Sequence, residues 1–144
     1  MRRRIPLRRY VVKKSRPKVT KGETVKVLTG CGNMYVTISR DDEGLFEVFA
    51  ALGKAGSCAK VQIEGISRVV TLAIRCGVPT DEIVKQLKGL QCPVPNMFPK
   101  EDRVLSCPDA IAKVLEENVM NPEGFVREVA PSKSGMEGFD DGNH

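Results

Sequence analysis

Residues 53–92, GKAGSCAKVQIEGISRVVTLAIRCGVPTDEIVKQLKGLQC, decide how the rest of the chain is arranged. A glycine-rich turn leads into a long helix, and Ser57 supplies a hydroxyl at the N-cap position. Ile63, Ile66, Val70, Ala73 and Ile74 recur at helical spacing and define a buried face, which Val69 and Leu72 widen. Gln62, Glu64, Ser67, Arg68, Thr71 and Arg75 are left for the outer side, with Glu64 and Arg68 spaced as a surface pair. Gly65 costs about 1 kcal/mol against alanine inside a helix, so close contact with another element is expected there. Gly77 and Pro79 end this helix. A second follows from Asp81 to Leu87, capped by Thr80 and stopped by Gly89.

Upstream, Val25 and Val27 alternate with polar residues as a short strand, and Met34, Val36 and Ile38 form another after the turn Thr29-Gly30-Cys31-Gly32-Asn33. Asp41-Asp42-Glu43-Gly44 is a hairpin turn with Gly44 supplying positive φ. Leu45–Leu52 is a third strand, with Phe46, Val48 and Ala50 on one face. Downstream, residues 93–103 read as a proline-rich loop, and Ser106 with Pro108 and Asp109 opens a third helix whose apolar stripe is Ile111, Val114 and Leu115. The expected fold class is α+β: a three-stranded antiparallel meander packed against a long central helix, with two further helices.

The chain has 144 residues, enough for one core. Its net charge of +5 is unevenly spread. Residues 1–21 hold ten of the 23 basic residues and no acid, so the remainder has 13 basic against 18 acidic residues, a net of −5. Residues 1–22 therefore read as a flexible basic arm, 23–120 as the domain, and 121–144 as an extension ending in a polar tail. Arg2, Arg3, Arg4, Arg8, Arg9, Lys13, Lys14 and Arg16 are the candidate nucleic-acid contacts, or simply a hydrated, solubilising segment. With Tyr10 the arm's one aromatic, base stacking has little support. Gly53, Lys54, Gly56 and Ser57 are a candidate anion-binding turn at the start of the helix. The plainer reading is that these glycines turn a strand sharply into a helix. No membrane span or secretory signal is expected.

Five cysteines, an odd number at wide spacing, fit a reducing, cytoplasmic setting better than a disulfide framework. Cys31, Cys58, Cys92 and Cys107 each lie at a turn or a helix boundary beside Gly, Ser or Pro, and Cys76 is the least like them. Four thiolates suit zinc or an iron–sulfur cluster. No two of them form the close pair of most zinc sites, and small buried apolar packing is the alternative. His144 is the single histidine, so a Cys–His or Ser–His pair is not expected.

TGCGNMYVTI at 29–38, FEVFAALGKAGSCA at 46–59, IEGISRVVTLAIRCGV at 63–78, EIVKQLKGLQCP at 82–93 and SCPDAIAKVLEE at 106–117 together resemble the TSCPD domain. That domain is found at the C-terminal end of adenosylcobalamin-dependent (class II) ribonucleotide reductases and as small free-standing proteins. The resemblance maps Cys31, Cys58, Cys92 and Cys107 onto the family's characteristic cysteines, while Leu105 departs from the threonine of the name motif. It implies an association with ribonucleoside-diphosphate reductase. The cobalamin site and thiyl-radical chemistry belong to a large barrel for which 144 residues leave no room, so neither cobalamin nor catalysis by this chain alone is expected. Three functions are thus in view. One is a metal-stabilised accessory module, the second a separately encoded component of a reductase complex in deoxyribonucleotide and DNA synthesis, and the third a nucleic-acid-binding protein using the basic arm.

Overall fold

The computed structural model of the protein describes residues 12–53 and 57–122. Its elements follow the expected order: β1 (Lys21–Thr29), β2 (Gly32–Asp41), β3 (Gly44–Leu52), α1 (Cys58–Arg75), α2 (Thr80–Leu87), a 3-10 turn (Lys100–Asp102) and α3 (Cys107–Met120). The strands form an antiparallel sheet in the order β1-β2-β3. The fold is the expected α+β meander with three helices.

The register follows the hydrophobic alternation, because a slip of one residue would turn every core side chain to the wrong face. Met34 pairs with Val27 and Leu52, Val36 with Val25 and Ala50, and Ile38 with Val48. Met34, Val36, Ile38, Phe46 and Val48 are almost wholly buried. The second hairpin closes through Gly44 at φ +124°, with the Asp41 carboxylate accepting from the Glu43 N–H at 2.9 Å.

The helices depart from the expected roles. α3 is the buried one, with eight buried residues among its fourteen against three of eighteen in α1. Helix α1 lies along the free edge of β3. The Thr71 hydroxyl accepts from the Val48 N–H at 3.0 Å and donates to the Val48 carbonyl at 2.8 Å, covering an edge that would otherwise invite pairing. The inner face of α1 is therefore partly polar. Ser67 is buried and donates to the Ile63 carbonyl, and the Arg75 guanidinium donates to the Lys14 carbonyl and sits 5.1 Å from the Phe46 ring centroid. Ser67, Thr71 and Arg75, expected outside, face inward. Val69 and Leu72, expected to widen the core face, are 66% and 49% exposed. Helical period alone identified a face but placed its edges one row off, because strand-edge hydrogen bonds compete with apolar burial for that side. Thr71→Val should lower stability by about 1–3 kcal/mol, since both polar groups of Val48 lose their partner. Chemical denaturation measures this, and an unchanged midpoint would refute the edge-covering role.

Two helix caps were also settled by the structure. Ser57 and Ser106 do cap α1 and α3, accepting from the N–H groups of Lys60 and Asp109 at 3.2 Å each. Thr80, the expected cap of α2, is its first residue, and Pro79 holds the cap position without a side-chain bond.

Residues 12–16 run against the body. The Lys14 N–H donates to the Arg75 carbonyl, its ammonium pairs with Asp41 and Glu43, and it lies over the Phe46 ring. The hydrogen bond from the Lys14 ammonium holds the Asp41 carboxyl below its ordinary range. Arg16 grips the buried carboxylate of Glu47 with both arms of its guanidinium at 2.9 Å. Lys14 and Arg16, read as candidate nucleic-acid contacts, are thus engaged by the body's own acids. Arg2, Arg3, Arg4, Arg8 and Arg9 lie outside the described residues.

Candidate thiol centre

The end of the sheet carrying the β1–β2 turn brings Cys31 and Cys107 to Thr29, with the segment that carries Cys92 bound alongside. Thr29 is buried, and its hydroxyl donates to the Gly32 carbonyl at 2.9 Å while accepting from the Cys31 N–H at 3.2 Å. This ties the TGCGN turn and sets Cys31 at its tip. The Cys107 thiol approaches the same hydroxyl at 3.7 Å from the first residue of α3.

The segment around Cys92 is brought in by backbone pairing. The Cys92 N–H donates to the Leu105 carbonyl at 3.0 Å, and Asn96 exchanges backbone bonds with Val104 at 2.8 and 2.7 Å. The Asn96 side chain also donates to the Leu28 carbonyl at 3.1 Å, so this segment is bound to the strand end as well. Gly30 permits the approach. A Cβ there would lie 1.6 Å from the Val94 carbonyl oxygen, so no other residue fits without moving the chain.

Asp109 anchors the other side. Its carboxylate is buried, accepts from the Gly89 N–H at 2.8 Å and the Leu105 N–H at 3.0 Å, and lies 3.5 Å from the Lys113 ammonium. One side chain therefore joins the end of α2 to the start of α3, the two ends of the segment carrying Cys92. The residues Ser-Cys-Pro-Asp at 106–109 divide the work: a cap, a thiol, a helix-starting ring and a buried clamp.

The Cys107 thiol is pushed above its ordinary value, chiefly by burial. Thr29 acts in the opposite direction, while Cys31 and Cys92 reinforce the rise. Cys107 is therefore held as a neutral thiol and not as an activated nucleophile. Cys31 is exposed and Cys92 half-buried, so of the three only Cys107 acts as core packing.

Cys58, the first residue of α1, is exposed, and nothing places it with the other three; Cys76 caps the far end of the same helix. Among the described residues, no three Cys, His, Asp or Glu side chains close on a single point as a metal site would. The cluster is soft-donor in chemistry but open, and ligation would need the thiols to draw together. Of the candidate anion turn, Gly53 donates its N–H to the Asn33 carbonyl at 3.1 Å and Ser57 is occupied as a cap, whereas Lys54 and Gly56 lie outside the described residues. Thr29, Gly30 and Asp109 were not singled out for this centre from sequence. The hydroxyl before Gly-Cys-Gly was the available signal for Thr29.

The architecture is that of a small α+β domain built around a strand-end thiol cluster. The TSCPD domain model matches residues 8–119, most of the chain, and the protein belongs to the TSCPD domain family. No curated protein and no solved structure matches it. No helix among the described residues is long and apolar enough to cross a membrane.

Proposed function

We propose that this protein is a non-catalytic TSCPD accessory module whose thiol centre takes up a thiophilic metal ion, zinc before an iron–sulfur cluster, and which acts through a partner. The observation that carries the reading is the approach of Cys31 and Cys107 to Thr29, beside the backbone segment that carries Cys92. Three thiols gathered where backbone segments 29–32, 92–96 and 104–107 meet supply most of a four-thiolate shell, and Cys58 is the remaining candidate ligand. Bound zinc would cross-link those segments and add its binding free energy to folding. Loading must displace the Cys107 proton, so affinity rises with pH.

The test is elemental analysis of protein purified without added metal. About one zinc per chain is expected, lost on Cys31→Ser, Cys92→Ser or Cys107→Ser and kept on Cys76→Ser. Loss on Cys58→Ser would make it the fourth ligand, and retention would leave a three-thiolate site. Folded, metal-free protein, or equal effects at all five cysteines, would refute the proposal.

The partner is proposed from the family resemblance to be the core of a cobalamin-dependent ribonucleotide reductase in the cytoplasm, where five free thiols stay reduced. Affinity capture with the full chain should recover such a core. Nucleic-acid binding by the arm is the competing reading. It predicts a steep salt dependence that disappears on deleting residues 1–21, and pairing of Lys14 and Arg16 within the body reduces the charge available to it.

A further inference from the structure

Helix α1 turns an apolar row to solvent. Val61, Gly65, Val69 and Leu72 follow one another at steps of four, four and three residues, which places them on one face. Val61 is 67% exposed, and Val69 and Leu72 are the two residues whose burial the sequence led us to expect. Gly65 stands in the middle of this row, where a glycine weakens a helix. Among the described residues its absent side chain has no structural reason, because nothing lies within 4 Å of where a Cβ would be. The close approach that a mid-helix glycine implies is not made within the described chain.

The charges beside the row are self-complementary. Glu64 and Arg68 flank Gly65 and are 3.9 Å apart on the same exposed surface. At that exposure the pair contributes little within one chain and both groups are free to turn elsewhere. If a second α1 is laid antiparallel on the first, Val69 of each copy comes opposite Gly65 of the other. Glu64 of each then comes within a turn of Arg68 of the other. A two-fold axis repeats both contacts, which is what a symmetric interface requires.

We propose that the outer face of α1 is the contact surface of a homodimer, two antiparallel α1 helices crossing closely at Gly65. Val69 of each copy fills the space left by Gly65 of the other, Val61 and Leu72 extend the apolar contact to either side, and the Glu64–Arg68 pairs set the direction. The interface is beyond the thiol centre and does not depend on metal. One helix per copy buries less than about 1,200 Å² in total, so the dimer is weak and its population follows concentration.

Sedimentation of the full chain from about 1 to about 200 µM tests this by mass action. A monomer–dimer equilibrium is expected. Gly65→Gln points into open space in the monomer and improves the helix, so the variant should unfold at a higher temperature at low concentration while self-associating at least about tenfold more weakly. Glu64→Arg and Arg68→Glu should each weaken self-association, and mixing the two variants should restore a dimer containing one copy of each. That restoration reads contacts between chains and is not produced by the pair within one helix. A monomer at every concentration, whether its α1 face is covered by another protein or by the chain's own terminal residues, overturns the proposal. So does a dimer indifferent to Gly65→Gln, or a mixture that fails to pair.

Discussion

Replacing Asp109 by alanine should lower stability by about 2–4 kcal/mol and the melting temperature by about 10–20 °C. The carboxylate is 1% exposed and accepts from two backbone N–H groups, those of Gly89 and Leu105. Alanine deprives both part-buried donors of a charged acceptor and releases the Lys113 ammonium. Hydrogen bonds to a charged group contribute about 1.5–3 kcal/mol each, and partial solvation of the two N–H groups keeps the total within the expected loss of about 2–4 kcal/mol. Asp109→Asn separates the possibilities. Its amide oxygen can serve one N–H while its amino group meets the other donor, so an intermediate loss is expected. Thermal unfolding of the three proteins provides the comparison. Asp109→Ala within about 0.5 kcal/mol of the parent would mean that the clamp does not hold α2 to α3.

Gly30→Ala should be comparably damaging, by about 1–3 kcal/mol, for a steric reason. Its Cβ would sit 1.6 Å from the Val94 carbonyl oxygen and 2.7 Å from the carbonyl carbon, backbone atoms that no rotamer change can move aside. The segment carrying Cys92 must back away from the TGCGN turn. Cys92 moves with that segment, and under the proposed zinc reading the variant should lose zinc uptake even where it remains folded. Measuring metal content and stability together distinguishes this from simple unfolding. A variant that keeps both would show that Val94 does not need the glycine. Gly32, at φ +113° with open space around it, is a contrasting position: alanine there is strained by backbone angle alone and displaces no neighbour.

The strands were legible because their signal is local. Met34, Val36 and Ile38 alternate, Phe46, Val48 and Ala50 alternate, and Gly44 marks the turn between them, so pairing and register follow from a period of two residues. Ser57 and Ser106 were legible for the same reason, since a cap bonds within three residues of itself. Four of the cysteines stood out through their neighbours, and the structure brings two of them, Cys31 and Cys107, to Thr29.

What the sequence determined was the order and kind of the elements, the serine caps of α1 and α3, the hairpin turns and the family to which the chain belongs. Tertiary structure decided which side of α1 faces inward, because Thr71 satisfies the Val48 edge and Arg75 is held by Lys14 from a segment sixty-one residues away in the chain. It also decided that α3 and not α1 is the buried helix, that Asp109 reaches twenty residues back to Gly89, and that Val94 lies against the TGCGN turn only because Gly30 has no side chain. Each of these depends on a polar or steric contact between residues distant in sequence. Periodicity reports how residues are spaced along one element, and it carries no information about which distant atom will claim a given face.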